Sequence, residues 1–294
     1  MAKSINIAGA PISWGVCEVP QWGHQMSPGR VLEEMAQLKL GATEFGPLGF
    51  LPVEPADRAA TLEKYGMVAV GGFFPVVLHD SSYDPLPDVQ QELESYKKAK
   101  AKVLVLAAST GLSDYDTKRP ELTSDQWKTF FANCDRISEY AASIGVTATV
   151  HPHVGTMIES KSDVYGLLNG SDIAFTLDTG HMIIGGTDPV EFAQKYPQRV
   201  KHVHLKDVDM SKAARVVAGE LTYNEGVKSG MYTPLGDGYV DVKAIVTALI
   251  KNDYQGWFVL EQDLMLDREP AVGGWPFTDA KKSVDFLREI AASL

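Results

Sequence analysis

Four polar residues lie at or next to the last position of four successive apolar segments in the second half of the chain. The segments cover residues 146–151, 173–178, 200–205 and 256–261, and the polar residues are His151, Asp178, His204 and Glu261. Side chains alternate between the two faces of a strand, so counting by twos along each predicted strand gives all four residues the same orientation. Two imidazoles and two carboxylates suit Mn²⁺, Co²⁺, Zn²⁺ or Fe²⁺, whereas Mg²⁺ prefers oxygen ligands alone. The spacing therefore predicts a site for a divalent metal.

Three further polar residues are predicted to lie close to this site. His153 has the same parity as His151, so the sequence leaves open which of the two histidines is the ligand. Lys206 follows His204 by two residues and could neutralise an oxyanion or pair with Asp207 or Glu44. His181 could line the site or cap the next helix.

The first half of the chain contributes two candidates for contact with a substrate. Glu44 ends the second predicted strand with an inward orientation, so it is a candidate base or substrate ligand. Trp14 is expected to pack over the mouth of the site, where its ring would form a wall beside the substrate.

His202 lies one layer deeper than His204 and is predicted to be a buried hydrogen-bonding residue rather than a ligand.

Eight alternating segments must position these residues. The predicted strands cover residues 5–10, 42–45, 67–72, 102–107, 146–151, 173–178, 200–205 and 256–261. The predicted helices cover residues 28–40, 57–65, 86–100, 124–144, 160–168, 189–195, 240–252 and 279–292, the fourth with Ser124 as its N-cap. Strands that alternate with helices pair in parallel, and eight such units predict a single α/β domain over residues 1–294, a (β/α)8 TIM barrel. Barrel enzymes build their sites at the carboxyl ends of the strands, where these polar residues stand.

A doubly wound open sheet is the alternative architecture. No G-x-G-x-x-G sequence follows the first predicted strand, and no Walker A sequence occurs anywhere in the chain. The sequence signatures of dinucleotide and P-loop nucleotide sites are therefore absent.

Composition narrows the range of partners. The net charge is -11 over 294 residues, and no long unbroken run of lysines and arginines occurs, which argues against nucleic-acid binding. The apolar runs are far shorter than the ~20 residues that span a bilayer. Cys17 and Cys134 form no C-x-x-C pair and the first residues contain no long apolar run, so a cytoplasmic protein without a signal peptide is expected. A small molecule is the predicted partner, and homo-oligomerisation is left open.

Several motifs resemble those of the xylose-isomerase-like sugar isomerase/epimerase superfamily, and within it those of the inosose (2-keto-myo-inositol) dehydratases of inositol catabolism. The matching stretches are Ala10-Pro-Ile-Ser-Trp-Gly-Val, Thr43-Glu-Phe-Gly-Pro-Leu-Gly-Phe-Leu-Pro52, His151-Pro-His-Val-Gly-Thr156, Leu177-Asp-Thr-Gly-His181, His202-Val-His-Leu-Lys-Asp207, Leu235-Gly-Asp-Gly-Tyr-Val-Asp241 and Gly256-Trp-Phe-Val-Leu-Glu-Gln262. They are spread over nearly the whole chain, so the resemblance implies a xylose-isomerase-like barrel throughout.

The resemblance also implies a metal held by Glu, Asp, His and Glu from the fifth to eighth strands. The last three correspond to Asp178, His204 and Glu261, while His151 stands where the superfamily has its fifth-strand Glu. Without that carboxylate, a symmetric two-carboxylate proton shuttle is unavailable. A β-elimination needs only one base for the proton α to a ketone, and an acid or a metal for the departing hydroxyl. The departure therefore favours a metal-dependent hydro-lyase over an isomerase.

On this interpretation the expected substrate is a cyclic polyol ketone such as 2-keto-myo-inositol, and the favoured ion is Mn²⁺ or Co²⁺, with Zn²⁺, Fe²⁺ or Mg²⁺ as alternatives. The expected roles are α-proton removal by Glu261, His151 or His153, protonation of the departing hydroxide or oxyanion stabilisation by Lys206 or His181, and positioning of the ring by Glu44 and Trp14. Three alternatives stay open at this point. They are an isomerase or epimerase of an inosose or free ketose, a metal-dependent nuclease, and an inactive barrel that serves as a binding subunit.

Overall fold

A curled parallel sheet forms the centre of the protein. The computed structural model describes residues 5–112 and 117–294. Its strands are β1 (Asn6–Gly9), β2 (Ala42–Thr43), β3 (Val68–Ala69), β4 (Gly71–Val76), β5 (Val103–Ala108), β6 (Thr147–Val150), β7 (Ala174–Asp178), β8 (Val200–Leu205), β9 (Asp207–Val208), β10 (Tyr232–Thr233) and β11 (Trp257–Leu260). Nine of these strands follow the order β3-β2-β1-β11-β8-β7-β6-β5-β4, while β9 and β10 form a small antiparallel pair beside them. Within the described residues, this is the predicted barrel and not an open doubly wound sheet.

Helices cover the outside of the sheet. They are α1 (Pro28–Gln37), α2 (Pro55–Lys64), α3 (Leu86–Ala99), α4 (Ser124–Ser143), α5 (Lys161–Gly170), α6 (Thr179–Ile184), α7 (Pro189–Lys195), α8 (Met210–Val217), α9 (Tyr223–Lys228), α10 (Val242–Lys251) and α11 (Phe277–Ala292). Eight of them match the predicted helices to within a few residues. The other three, α6, α8 and α9, lie in connections that follow β7 and β8, at the end of the barrel where the polar residues stand.

One predicted helix cap is wrong by one residue. Thr123, not Ser124, is the N-cap of α4, because Thr123 has extended backbone angles and its side chain accepts a hydrogen bond from the backbone N–H of Gln126. The backbone N–H of Thr123 in turn donates to Oε1 of the Gln126 side chain, which completes a capping box. Ser124 is therefore the first helical residue.

The barrel closes where β3 and β4 meet at Val70. The Val70 N–H donates to the carbonyl of Thr43, and the Val70 carbonyl accepts from the N–H of Val103. Gly71 follows, and a Cβ atom at Gly71 would lie 1.7 Å from the carbonyl oxygen of Val103. Only glycine allows the two strands to approach so closely at this point. β3 and β4 are thus two parts of the third barrel strand.

Small side chains fill much of the barrel interior. The inner cluster consists of Ala8, Ala10, Ala42, Val70, Val103, Val105 and Val259. The larger apolar residues pack between the strands and the surrounding helices. This division matches the predicted orientation, in which the polar strand ends share the inner face.

The register of three neighbouring strands brings the polar residues together. Asp178 on β7 is the direct partner of His204 on β8, and Val259 on β11 is the partner of His204 on the other side. Glu261 follows β11, and its N–H donates to the carbonyl of Leu205.

Among the described residues, no helix is long and apolar enough to cross a membrane.

Candidate metal centre

His151, Asp178, His204 and Glu261 meet at the carboxyl end of the barrel. One potential ligand atom from each residue lies within 4.8 Å of the others, and this group is called the tetrad below. Nε2 of His151 lies 3.1 Å from Oδ2 of Asp178, and Nδ1 of His204 lies 3.7 Å from the same oxygen. Nδ1 of His204 also lies 2.6 Å from Oε2 of Glu261. The four residues are thus candidate ligands of one divalent ion.

Two atoms of the tetrad test whether a metal fits. Among the described residues, neither Nδ1 of His204 nor Oε2 of Glu261 has a hydrogen-bond partner in suitable geometry, although the two atoms are in close contact. Buried polar atoms are rarely left unsatisfied in folded proteins. Two such atoms side by side, with an imidazole and a carboxylate added by His151 and Asp178, fit a transition-metal ion. The residues present therefore suit the predicted cofactor.

The tetrad carries an excess of negative charge that a cation would balance. Burial alone would raise the pKa of Glu261, but the positive charges of His204 and Lys206 outweigh it and lower the pKa to about 2. Burial would likewise lower the pKa of His204, yet Glu261 and Glu44 raise it well above its usual value. A proton on His204 therefore compensates the carboxylates while no metal does.

Glu44 lies against the far side of the His204 ring. Its Oε1 atom is 2.9 Å from Nε2 of His204 and 2.7 Å from Nε2 of His202. Burial favours a raised pKa for Glu44, but His204 and the bonds from both histidines hold the pKa far below the usual value. Glu44 also borders the cavity described below, so contact with a substrate stays a prediction. His202 is buried and hydrogen-bonded, as the sequence predicts.

Lys206 is buried beside the tetrad, and among the described residues it pairs with carboxylates other than the predicted Asp207 and Glu44. Its Nζ atom lies 2.5 Å from Oδ1 of Asp263 and 3.0 Å from Oε2 of Glu261. The hydroxyl of Tyr223 donates to Oδ2 of Asp263 at 2.7 Å. Burial opposes the charge of Lys206, but Asp263, Glu261 and Asp178 raise its pKa well above the usual value. Lys206 is therefore a charged ammonium at neutral pH.

Sequence reasoning missed Asp263 and Tyr223. Asp263 could have been found, because it follows Glu261 by two residues and shares its parity. Burial raises the pKa of Asp263 to about 6 despite the neighbouring Lys206. No sequence pattern points to Tyr223, which reaches the site from α9.

The two fifth-strand histidines have different surroundings. His151 belongs to the tetrad, whereas Nδ1 of His153 lies 2.6 Å from the carbonyl oxygen of Val154. The His153 ring stacks on His181, with 3.7 Å between ring centroids. Burial, reinforced by the charge of His151, lowers the pKa of His153 to about 3. Burial also lowers the pKa of His181 far below its usual value, so both rings are neutral at pH 7.

Trp14 lies away from the predicted substrate wall. It ends a short 3-10 helix, Pro11–Trp14, that directs the indole into the core, where it is completely buried. Its Nε1–H donates to Oε2 of Glu34 at 2.8 Å. Trp22 from the same loop borders the cavity instead, and its Nε1–H donates to the carbonyl of Leu264 at 2.7 Å.

A cavity of about 300 Å³ is bordered by His151 and Glu261 of the tetrad. One part of its wall is apolar and the other part carries the reactive groups. The apolar residues include Ile12, Val16, Val19, Trp22, Phe73 and Pro75, and the polar residues include His151, His153, Lys206, Glu261 and Asp263. A small polar ring with one apolar face would fit such a site.

Comparisons with known proteins agree with the fold and with the sequence motifs. A family model described as xylose isomerase-like TIM barrel matches residues 48–290. The chain is 30% identical to the inosose dehydratase of Geobacillus kaustophilus (strain HTA426), with 100% of this chain and 98% of that protein covered. It is 31% identical to the rhizopine catabolism protein MocC of Rhizobium meliloti, with coverage of 99% and 90%. The solved structure of L-ribulose 3-epimerase superposes with a TM-score of 0.68 at 15% identity, covering 99% of this chain and 95% of the epimerase. The predicted barrel and the predicted resemblance are confirmed.

Proposed function

The chain belongs to the xylose isomerase-like TIM barrel family, and on this premise we propose that it is a metal-dependent hydro-lyase that removes water from a cyclic polyol ketone, 2-keto-myo-inositol. The full-length similarity to an inosose dehydratase supports the choice of reaction. The observation that carries the proposal is the placement of Lys206 and two tetrad residues, His151 and Glu261, in the wall of one cavity, because an elimination needs both a stabilised negative charge and a proton donor.

His151, Asp178, His204 and Glu261 would hold the ion, with Mn²⁺ or Co²⁺ favoured and Zn²⁺, Fe²⁺ or Mg²⁺ as alternatives. Bound there, a divalent cation supplies Lewis-acid stabilisation of the negative charge that develops on the ketone oxygen. The protein contributes the remaining chemistry through groups that line the same cavity.

His153 or Glu261 removes the proton α to the ketone. His153 borders the cavity and stands outside the tetrad, so it keeps its lone pair when the ion is bound. Its Nδ1–H donates to the carbonyl of Val154, which leaves the lone pair on Nε2. His151 was the third candidate base, but as a tetrad member it would give its one lone pair to the ion, whereas the carboxylate of Glu261 has a second oxygen. Glu261 remains a candidate because it is the most exposed member of the tetrad.

Lys206 supplies the proton that leaves with the β-hydroxyl. As the C–O bond breaks, the ammonium donates a proton and the leaving group departs as water. His181 is the weaker candidate for this step, because its lowered pKa leaves no second proton on the ring at neutral pH. Asp263 and Tyr223 hold the Lys206 ammonium in place beside the cavity.

An isomerase or epimerase is the alternative activity within this family. A nuclease is disfavoured by the net charge of -11. The decisive assay incubates the protein with 2-keto-myo-inositol and Mn²⁺ or Co²⁺ and follows the products by NMR and mass spectrometry. Loss of one water with formation of an enedione-type product is expected, and it should stop when the metal is chelated. A mass-neutral stereoisomer would instead establish the isomerase alternative.

A further inference from the structure

Two buried histidines of β8 share a single carboxylate oxygen. Oε1 of Glu44 accepts hydrogen bonds from Nε2 of His202 at 2.7 Å and from Nε2 of His204 at 2.9 Å. Glu44 is 4% exposed, and the two histidines are completely buried. Water therefore does not compete for these bonds, and the carboxylate remains in contact with both rings.

The bond to His204 decides which of its nitrogens is available to a metal. A neutral imidazole carries one hydrogen, and the nitrogen without it has the lone pair that binds a cation. Because Nε2 donates to Glu44, the lone pair lies on Nδ1 once the ring has given up its second proton to bind a metal. That is the atom next to Oε2 of Glu261 and Oδ2 of Asp178. The opposite tautomer would turn an N–H toward the metal and leave Glu44 facing a lone pair.

We propose that Glu44 is the positioning residue of the metal centre and fixes His204 as a ligand that binds through Nδ1. This inference rests on the metal site of the proposed function. In this role Glu44 supports the metal ligand His204. The substrate contact that the sequence predicts for Glu44 is a separate role. Carboxylates that accept the second N–H of a ligating histidine raise its basicity and hold its ring orientation.

His202 holds the carboxylate in turn. It is the second donor to the same oxygen, and the two imidazole rings lie at 78° with their centroids 5.0 Å apart. Among the described residues, Nδ1 of His202 has no hydrogen-bond partner. His202 therefore contributes one bond, to Glu44, and that bond prevents the carboxylate from rotating away from His204.

Glu44, His202 and His204 could alternatively bind a second cation, because their potential ligand atoms also lie close together. The two N–H groups point at the carboxylate oxygen in normal hydrogen-bond geometry, which favours the positioning role. Metal stoichiometry separates the two interpretations: the positioning role requires one ion per chain.

Isothermal titration of the metal-free protein with Mn²⁺ is the first test. Glu44→Gln keeps the shape of the side chain but removes its charge, and we expect roughly 10- to 100-fold weaker binding. Glu34→Gln is the matched control, because Glu34 is equally buried and hydrogen-bonded to Trp14 and Arg30 away from the site. Equal Mn²⁺ affinity of Glu44→Gln and the Glu34→Gln control would overturn the proposal, and so would uptake of two ions by the unmodified protein.

Nitrogen-15 NMR of the Zn²⁺-loaded protein is the second test, and it detects orientation rather than charge. The ring hydrogen of His204 is expected on Nε2, with Nδ1 shifted by the metal. In Glu44→Gln that tautomer should lose its dominance, whereas His202→Gln, whose amide nitrogen can take the place of Nε2 and donate to Glu44, should retain it. A metal-shifted Nε2 in the unmodified protein would overturn the proposal. Neither test contains substrate, so a lack of dehydratase activity would contradict only the proposed function. A protein that binds no metal would contradict both.

Discussion

Nδ1 of His204 and Oε2 of Glu261 lie 2.6 Å apart, and among the described residues neither atom has a hydrogen bond of suitable geometry. An imidazole nitrogen and a carboxylate oxygen at that separation repel one another unless a proton or a cation lies between them or beside them. Burial opposes a charge on His204, but Glu261 and Glu44 outweigh it and raise the pKa of the ring, which favours a proton in this place when no metal is bound. A metal that binds here must replace that proton.

Metal binding should release a proton. The pKa of His204 is raised, so the ring is protonated at neutral pH without metal, and a ligand must be deprotonated to bind. Metal affinity should therefore fall as the pH is lowered. Calorimetric titrations in buffers with different ionisation enthalpies should show release of about one proton per ion near pH 7. An enthalpy that is independent of the buffer would contradict this prediction.

Asp178→Asn should remove the metal while the fold is retained. Oδ1 of Asp178 caps α6 through the N–H of His181, and an amide oxygen can still accept that bond. The lost charge faces His151, His204 and Lys206, so metal content measured by elemental analysis should fall to near zero.

Asp188→Asn is the matched control, because Asp188 caps α7 in the same way but is exposed and lies outside the tetrad. Its metal content should be unchanged. Normal metal content in Asp178→Asn would exclude Asp178 as a ligand.

Lys206→Met should destabilise the protein as well as inactivate it. The substitution leaves Asp263 and Glu261 buried without their counter-charge, and breaking a buried ion pair on one side costs about 3–5 kcal/mol. Denaturant unfolding of the metal-free protein measures this effect.

Removing the opposite charge as well should recover part of that loss, so Lys206→Met combined with Asp263→Asn is expected to be more stable than Lys206→Met alone. Lys282→Met, which breaks the exposed pair with Asp237, should change the free energy of unfolding little. Similar effects of Lys206→Met and Lys282→Met would show that the Lys206 cluster is not buried as described.

Gly180→Ala should disturb Lys206 without removing any polar group. A Cβ atom at Gly180 would lie 2.7 Å from Cβ of Lys206 and 2.9 Å from Cε1 of Tyr232. Overpacking of this kind costs about 1–3 kcal/mol, and the displaced ammonium should lower the rate of product formation much more than the affinity for metal. In the control Gly29→Ala the nearest atom is 3.8 Å away, so activity should persist. Full activity of Gly180→Ala would argue against a catalytic role for Lys206.

The sequence predicts most of the barrel because its units are local. Each apolar run ends at a polar residue or a turn, and the eighth predicted strand, 256–261, differs from the observed Trp257–Leu260 only at its ends. The third strand is the exception. The pair Gly71-Gly72 resembles the end of a strand, but the strand continues to Val76, because at Gly71 the missing side chain makes room for the backbone of Val103. That requirement comes from a neighbouring strand and leaves no local signal.

The tetrad could be predicted from parity alone, whereas its surroundings could not. Parity states which face a side chain occupies but not its depth or its partner. Glu44 has inward parity, yet its partner His204 is 160 positions away in the chain. Trp14 depends in the same way on Glu34, which draws the indole into the core. Asp263 is the exception, because it follows Glu261 by two residues with the same parity and could have been found by the same count.

Anomalous diffraction from crystals of the Mn²⁺- or Co²⁺-loaded protein tests the central claim most directly. We predict one strong peak at the absorption edge of the metal, within about 2.0–2.3 Å of Nδ1 of His204 and Oε2 of Glu261. His151 and Asp178 should complete the coordination from the protein side. A fully loaded crystal with its peak elsewhere, or with Nδ1 of His204 still hydrogen-bonded and turned away from the ion, would contradict the account.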